Sequence, residues 1–380
     1  MGAEMDKKKI TNMEVKKKNR NDVFRYLCKQ GTAVSNSDIA YALKLSLPTV
    51  TQITKELIAK GLVEEKGELQ STGGRRAKAL ALSGQAGKAV GLDITPDGIR
   101  FVLTDLTGRV LNGEHLWLSY DNSDSYYREV NRKLEDFLDA SGCRRERVLG
   151  IGISLPGIVD LKKQTITDSH TLGLQSVHLS DISRFFPYPC QFLNDANAAA
   201  YAQGLQAGHS GRFFYLSLSN TVGGAIYNGG RPEQGDRFRC GEAGHMTVIP
   251  DGDICDCGKR GCLNAYCSAK RLSDHTGGKL DVFFERLQQG EQEAVRLWDS
   301  YTYYLALAVN NIHMLLDCDI ILGGSVGICM GSFLCDVQEQ AARRNAFAEH
   351  GCFLKLCSQK AEATALGASL KVIETFLEEV

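Results

Sequence analysis

The chain has 380 residues, of which 43% are hydrophobic and 23% charged, a balance typical of globular proteins. At this length we expect two or three domains. The N-terminal residues lack the apolar core of a signal peptide, and no apolar run is long enough to span a membrane, so we predict a cytoplasmic protein without a membrane partner. In that reducing compartment the 13 cysteines are expected to be thiols or metal ligands and not disulfides.

The net charge of −1 conceals an uneven distribution of charge along the chain. Residues 1–80 carry 16 Lys and Arg against 9 Asp and Glu, whereas the remaining residues carry 28 against 36. A basic head on an acidic body indicates that the head meets a polyanion. A solvated tail would account for the lysine runs at 7–9 and 16–18, but not for the pattern that follows them.

Three helices and a hairpin are predicted in the head. Apolar spacing predicts helices within 19–30 and 35–45 and a third helix that begins at Pro48 and ends at Gly61, because proline suits the first turn and glycine the end of a helix. Residues 62–82 alternate in the manner of a two-stranded wing. This order predicts a winged helix-turn-helix domain; a small helical protein-interaction domain is the alternative.

Polar side chains on the third helix and an arginine pair in the wing are the candidate contacts to double-stranded DNA. The buried stripe of the helix is predicted to consist of Val50, Ile53, Leu57 and Ile58. The small polar and basic side chains that fall mostly on the other face can enter a major groove. Arginines on a glycine-rich segment can follow the DNA backbone or probe a narrow minor groove. The predicted contacts are Thr49, Thr51, Gln52, Lys55, Arg75 and Arg76.

From Lys88 onward, strands and helices alternate. A strand pair turns at Thr107 and Gly108, and a helix is predicted from about Ser125 to Ala140. The segment 190–208 places a strand before an alanine-rich helix, and 318–327 is predicted to be a strand that ends in glycines. The order predicts α/β architecture, in which ligands bind at the carboxyl ends of strands.

Six motifs occur in a fixed order along the chain: "STGGRRAKAL", "GIGISLPGIVD", "NDANAAAYAQ", "GEAGHM", "CDCGKRGC" and "ILGGSVG". Together they resemble the ROK family (repressors, open reading frames, kinases), and the resemblance covers nearly the whole chain. It implies an actin-like (sugar kinase, ASKHA) body of two α/β domains. We therefore predict a winged helix-turn-helix domain with a basic tail at 1–82, a first α/β domain at 83–200, and a second at 201–380 whose last helix returns to the first.

One histidine and three cysteines match the zinc ligands of the family, residue by residue: His245, Cys255, Cys257 and Cys262. Their chemistry favours the same assignment, since Cys-x-Cys brings two thiolates together and one imidazole with three thiolates completes a tetrahedron. Four protein ligands leave no open position for water, so we predict one structural zinc per chain. The alternative is that these thiols are free; Cys240 and Cys267 are expected to be bystanders.

The resemblance also implies a sugar pocket. Asn194 and Asp195 match the sugar-binding Asn and the catalytic Asp of the family, although an isolated Asp at a strand end is more often a helix cap. The effector contacts that the resemblance implies are Asn194, Asp195, Glu242, His245 and Thr171. Thr171 stands where kinases of the family usually have Asn, and Asn264 stands where they have Glu, so glucose is not the expected ligand.

The nucleotide side departs further from the kinases. Asp93 is kept, but Thr95, Pro96 and Asp97 replace the Gly-Gly-Thr whose backbone amides approach phosphates, and the second phosphate loop reads Ser-Asn-Thr at 219–221. Proline lacks an amide hydrogen and aspartate repels phosphate. We therefore predict that kinase activity is lost and that Asp195 is vestigial as a catalytic residue.

These observations predict a DNA-binding transcriptional regulator, most simply a repressor, of carbohydrate-metabolism genes. A homodimer or homotetramer would place two winged helices on a palindromic operator, and a sugar or sugar derivative in the cleft would move them. The alternative is an active sugar kinase of this family with an attached DNA-binding domain. Response to a phosphocarrier protein, for which the family has precedent, is a third hypothesis.

Overall fold

The computed structural model describes residues 12–69, 77–208, 211–347, 351–359 and 361–380. The head has three helices and a two-stranded antiparallel wing, as predicted: α1 (Asn12–Lys29), α2 (Asn36–Leu43), α3 (Leu47–Ala59), β1 (Val63–Glu68) and β2 (Lys78–Leu82). Helix α1 begins earlier than predicted and includes Lys16–Lys18, because lysine and glutamate have good helix propensity even on a fully solvated turn. Val50, Ile53 and Leu57 of the predicted stripe are buried, whereas Ile58, at its edge, is only half-buried.

The first half of the body follows the head directly. Its elements are β3 (Lys88–Ile94), β4 (Gly98–Asp105), β5 (Val110–Trp117), α4 (Asp124–Ala140), β6 (Val148–Leu155), β7 (Ile158–Asp160), β8 (Thr165–Ser169), β9 (Leu174–His178), α5 (Leu179–Ser183), β10 (Cys190–Asn194) and α6 (Asp195–Gln206). Five strands form one sheet in the order β10-β6-β3-β4-β5, and β7, β8 and β9 form a small antiparallel sheet beside it.

The second half repeats that arrangement. Its elements are β11 (Phe213–Leu218), β12 (Val222–Asn228), β13 (Arg231–Pro232), α7 (Asn264–Cys267), α8 (Ala269–Ser273), α9 (Leu280–Gln288), α10 (Gln292–Leu316), β14 (Asp319–Gly323), α11 (Gly324–Cys329), α12 (Leu334–Ala342), β15 (Leu354–Leu356) and α13 (Ala363–Glu379). The sheet order is β13-β12-β11-β14-β15. In each sheet three parallel strands adjoin two antiparallel ones, so the two halves have the same topology, and the body has the predicted actin-like fold.

Helices α6 and α13 are exchanged between the halves. Helix α6 follows the last strand of the first sheet but packs on β11 and β12, whereas α13 follows the last strand of the second sheet and packs on β3, β4 and β6. The two helices also pack on each other. The last helix thus packs on the first sheet, and the exchange places both helices between the sheets.

Glycine permits this close packing at three positions. A Cβ on Gly367 would overlap the carbonyl oxygen of Ala198 in α6, and a Cβ on Gly91 or Gly152 would overlap a carbonyl oxygen of α13. Because these neighbours are backbone atoms, they cannot rotate away as a side chain would. The distance between α6, α13 and the first sheet therefore depends on glycine.

The head docks on the far end of α13. Two nitrogens of the Arg25 guanidinium donate to the two carboxylate oxygens of Glu374 at 2.6 and 2.8 Å, and Phe24 packs edge-on against Phe376 with ring centroids 6.3 Å apart. Asn21 donates to the carbonyl of Glu378 at 3.1 Å. A bidentate pair beside an apolar contact fixes orientation as well as position.

None of the helices in the described part of the chain is long and apolar enough to cross a membrane.

The packing of α6 on α13 yields a first prediction. Gly367→Ala should lower the free energy of unfolding by roughly 3 kcal/mol or more, because the added methyl meets a backbone carbonyl in a filled interior. Gly331→Ala is the matched control, since a Cβ there meets nothing within 4 Å. Denaturant unfolding would measure both; equal stability of the two variants would contradict the packing described.

Candidate functional site

The predicted metal ligands lie together. The Nδ1 atom of His245 and the three cysteine sulfurs all lie within 4.8 Å of one another. Cys255 Sγ is 3.9 Å from His245 Nδ1, and Cys257 Sγ is 3.8 Å from Cys262 Sγ. A compact set of one imidazole and three thiols suits a tetrahedral metal ion, so this cluster is a candidate metal centre.

Turns in the cysteine loop produce the cluster. The amide of Gly258 donates to the carbonyl of Cys255, and the amide of Cys255 donates to the carbonyl of Lys259, both at 2.8 Å. Gly258 and Gly261 have φ of +80° and +81°, and a Cβ on Gly261 would overlap the carbonyl oxygen of Ile249. The two glycines are thus needed, as their spacing suggested, to bring the cysteines together.

Asn264 supports this cluster and does not replace the sugar contact that the family's glutamate would supply. The side chain is buried, its Oδ1 accepts from the amide of Val222 at 2.7 Å, and its Nδ2 faces Cys255 Sγ at 3.8 Å. It joins the start of β12 to the metal ligands. The sequence showed only that Asn264 replaces the glutamate of the family's kinases. Its support of Cys255 depends on burial, which only the tertiary structure shows.

Asn194 and Asp195 lie where β10 ends and α6 begins. Asn194 caps the helix, since its Oδ1 accepts from the amide of Asn197 at 3.0 Å, and its Nδ2 donates to the carbonyl of Gly157 at 3.0 Å. Asp195 accepts from the amide of Ala196 at 2.8 Å. Both side-chain polar atoms of Asn194 are engaged, so Asp195 is the more available of the two to a ligand.

Carboxyl groups from both halves of the body meet around Asp195. Burial and the nearby charge of Glu242 raise the pKa of Asp195 to about 6. Burial and the charge of Asp195 raise the pKa of Asp93 to about 7, although Ser154 donates to it at 3.1 Å and Arg100 opposes the shift. Perturbed carboxyl groups in a cleft are typical of a ligand site.

Asp168 and His170 are members of this cleft that the sequence analysis missed. The His170 ring nitrogen Nε2 lies 3.0 Å from a carboxylate oxygen of Asp168, which is on β8 of the small sheet. The charge of Asp168, after burial, raises the pKa of Glu242. Burial and His170 lower the pKa of His245. Thr171, a predicted contact, is the residue after His170 and lies in the turn between β8 and β9. Asp168 carried no sequence signal of its own.

The altered phosphate loops face each other across the cleft. Thr95 closes the turn between β3 and β4, because its amide and its hydroxyl both donate to the carbonyl of Gly98 at 2.9 Å. Asn220, in the turn between β11 and β12, donates to Asp97 at 3.4 Å. The two loops therefore contact each other through side chains.

The DNA-contact candidates on α3 divide into two groups. Gln52 and Lys55 are exposed, whereas Thr49 and Thr51 are half-buried. Thr51 donates back to the carbonyl of Leu47 at 2.8 Å. Tyr41 on the neighbouring helix α2 is 88% exposed and was not among the sequence candidates. Arg75 and Arg76 lie outside the described residues.

Comparison with known proteins identifies the family of the chain. The ROK family profile matches residues 89–374, and a winged helix-turn-helix DNA-binding profile matches residues 17–64. The chain belongs to the ROK family and carries a winged helix-turn-helix head.

Relatives match over most of their length. The xylose repressor of Bacillus spizizenii is 28% identical over 378 residues, covering 96% of this chain and 97% of that protein. The structure of a ROK family transcriptional regulator, a homologue of the Escherichia coli MLC protein, matches 96% of this chain and 97% of its own with a TM-score of 0.77 and 21% identity. The ROK hexokinase of Thermus thermophilus covers 77% of this chain and 100% of its own with a TM-score of 0.63 and 26% identity, and lacks a counterpart for the rest.

The metal cluster gives a second prediction. Cys257→Ser should reduce bound metal from about one ion per chain towards none, because a serine hydroxyl is a poor substitute for one of four ligands. Cys335→Ser is the matched control, since Cys335 is exposed and stands apart from the cluster. Elemental analysis of freshly purified protein measures both; wild type without metal would refute the assignment.

Proposed function

We propose that this protein is a transcriptional repressor of carbohydrate-metabolism genes, controlled by a sugar or sugar derivative that binds at Asp195. The observation that carries the proposal is the continuous packing from that residue to the head. Asp195 opens α6, α6 packs on α13, and α13 holds the head through the Arg25–Glu374 pair. A ligand that changed the packing of α6 would act on the head without a flexible intermediary.

The names of relatives support the carbohydrate part of the proposal. The Bacillus spizizenii relative is a xylose repressor, and the Escherichia coli protein NagC, 26% identical over 299 residues, is named a DNA-binding transcriptional dual regulator. A Shigella flexneri protein, also 26% identical to this chain over 299 residues, is named an N-acetylglucosamine repressor. We infer a sugar-responsive regulator of the same kind here, with its own ligand.

In this proposal the ligand contacts are Asn194, Asp195, Glu242, His245 and Thr171, to which we add Asp168 and His170. Carboxylates accept hydrogen bonds from sugar hydroxyls, and a charged acceptor makes the stronger bond. The ligand would join the two halves, because Asp195 and Asp168 belong to the first half while Glu242 and His245 belong to the second. Closure of the halves counts as a switch only if the ligand binds the closed state more tightly than the open one.

We assign the metal as zinc in a structural role. Two thiolates bound at about 2.3 Å to one tetrahedral zinc lie about 3.8 Å apart, and the sulfurs of Cys257 and Cys262 are separated by 3.8 Å. The zinc would fasten the segment of Glu242 and His245 to the start of α7. With His245 Nδ1 turned to the cysteines, the other ring nitrogen is left for the ligand.

Phosphoryl transfer is not expected. Transfer needs the phosphates of a nucleotide held in line by backbone amides or cations, but the amide of Thr95 is occupied by Gly98, Pro96 has none, and Asp97 is paired with Asn220. Asp195 therefore serves as a hydroxyl acceptor and not as a catalytic base.

We propose that a homodimer or homotetramer presents two heads to a palindromic operator. Gln52 and Lys55 are exposed in the middle of α3, on a helix placed to meet base edges and phosphates. Thr49, Thr51 and the wing residues Arg75 and Arg76 complete the proposed DNA surface.

The DNA surface gives a third prediction. On a DNA sequence selected by the wild-type protein from a random pool, Lys55→Ala should weaken binding and reduce the slope of log K against log salt by about one. Gln52→Ala should change the preference among variants of that sequence. Lys270→Ala, which removes an exposed lysine of the body, is the control for net charge. Electrophoretic mobility shifts across a salt series measure these effects, and unchanged binding by both head variants would exclude α3 as the recognition helix.

The ligand site gives a fourth prediction. Asp195→Asn should weaken sugar binding by about tenfold or more, since a neutral amide replaces a charged acceptor, and leave DNA binding by the free protein intact. Asp181→Asn is the matched control, because Asp181 is an exposed residue of α5. Calorimetric titration with xylose, N-acetylglucosamine and a wider sugar panel measures the effect.

The same panel tests the alternative function. Wild-type protein is incubated with labelled ATP, magnesium and each sugar that binds. Sugar phosphate formed at about one turnover per second or faster would establish a kinase and overturn the regulator-only proposal.

A further inference from the structure

Helix α10 has one side in the core of the second half of the body and one side turned outward. Trp298, Leu305 and Ile312 of the inner side are buried, and the helix packs on α7, α9, α12 and β14. A surface helix ordinarily presents polar and charged side chains on its outer side. The outer side of α10 departs from this rule.

Large apolar side chains follow one another along the outer side of α10. Tyr303 is 50% exposed, Met314 39% and Leu315 83%, while Leu307 is half-buried. Tyr303, Leu307 and Met314 are separated by four and seven residues, the spacing that keeps side chains on one face of a helix. A contiguous exposed apolar surface marks an interaction site.

The end of α12 extends this surface. The guanidinium of Arg344 lies over the ring of Tyr303, 4.6 Å from its centroid. Phe347, three residues further along the chain, is 76% exposed, and its amide donates to Asn345 Oδ1 at 2.8 Å. We call the resulting surface the α10 face; its members are Tyr303, Leu307, Met314, Leu315 and Phe347.

Charges of opposite sign stand at the two ends of the α10 face. Arg296 is exposed eleven residues before Leu307, and Asp317 is exposed ten residues after it. At about 1.5 Å of rise per residue the two charges are roughly 30 Å apart, so they cannot pair within one chain. Neither makes an ion pair within 4.0 Å with any other residue that the structure describes.

The negative end of the face adjoins a pocket. A surface cavity of about 280 Å³ is lined there by His313, Asp317, Cys318, Asp319, Cys352 and Phe353. Asp319 is neutralised by Lys355 at 2.5 Å, whereas Asp317 lacks such a partner among the described residues. The last carbonyls of α10 add the partial negative charge of a helix C-terminus. Shape and charge at this end suit the guanidinium of an arginine.

We propose that the α10 face is a self-association surface, on which a second copy of this chain packs its own α10 in antiparallel orientation about a two-fold axis near Leu307. Both copies then use the same surface, and Arg296 of each copy faces Asp317 of the other. Burial of the apolar side chains stabilises the contact, and the charges at the ends set its direction and register. The inference rests on the proposed function, which requires two heads on a palindromic operator.

Symmetry favours a second copy over an unlike partner. A two-fold axis brings two opposite charges together only if both lie at nearly the same distance from the axis. Arg296 and Asp317 satisfy this condition, at eleven and ten residues from Leu307, and the apolar side chains lie between them. An unlike partner places no such requirement on the surface.

The first experiment measures the mass of the full chain by sedimentation without DNA or sugar. We expect wild type to sediment as a dimer, or as a tetramer built from such dimers, and Met314→Asp to sediment at half that mass, because a buried charge disrupts an apolar contact. Met13→Asp is the matched control, since Met13 is 81% exposed on α1. Circular dichroism and bound metal show whether each variant is folded.

Exchange of the two charges tests the antiparallel arrangement. Arg296→Asp and Asp317→Arg should each weaken self-association by about tenfold or more, because like charges then meet at both ends of the contact. Mixed together, the two variants should associate with each other, since each like-charged pair becomes an opposite pair. Arg109→Asp, on an exposed arginine of the first half, is the control for net charge.

Sedimentation separates this inference from the proposed function, because it needs neither sugar nor operator. A wild type that self-associates through α10 but binds no sugar of the panel would contradict the proposed function alone. Conversely, sugar binding at Asp195 by a monomeric wild type would overturn this inference and leave the ligand site intact.

Two further results would overturn the inference. One is equal self-association of wild type and Met314→Asp, which would assign the contact to another surface. The other is failure of Arg296→Asp and Asp317→Arg to associate when mixed, because the proposed arrangement restores both charge pairs in that mixture.

Discussion

The contact between α6 and α13 is the interaction on which the rest of the structure depends. Each helix leaves the half of the chain in which its preceding strand lies and packs on the other sheet, so the halves share one interior. Glycine at 91, 152 and 367 lets backbone approach backbone, and such an interface has few alternative arrangements. Coupling between distant sites needs elements of this kind, which shift as units.

The carboxyl groups gathered in the cleft lower the stability of the body. Asp93, Asp195 and Glu242 are carboxyl groups gathered in a partly buried space, and each has a raised pKa. Burying like charges costs free energy unless protons, cations or hydrogen-bond donors compensate. The unfavourable arrangement is understandable if a polyhydroxyl ligand supplies the missing donors, which agrees with the proposal of a sugar effector.

The same fold that serves kinases is adapted here by changes on one side of the cleft. The Thermus thermophilus hexokinase matches the body alone, so the head is the addition. The loops at 95–97 and 219–221 bond to Gly98 and to each other.

Local sequence determined a large part of this protein. Apolar spacing, Pro48 and the glycine-bearing turns placed the helices and strands, because those signals act within a few residues. Spacing and chemistry also singled out His245 and the three cysteines, which the structure gathers within 4.8 Å. The family motifs then predicted the actin-like body and the return of the last helix.

Only the tertiary structure decided which distant residues meet. Arg25 and Glu374 are 349 positions apart, and Asp168 and Glu242 come from different halves. Asn264 looked like a lost ligand contact and is a buried support for Cys255. Ionic and hydrogen-bonding partners of this kind have no periodicity in the sequence, because the packing of whole sheets and helices brings them together. A pattern along the chain therefore cannot predict these contacts.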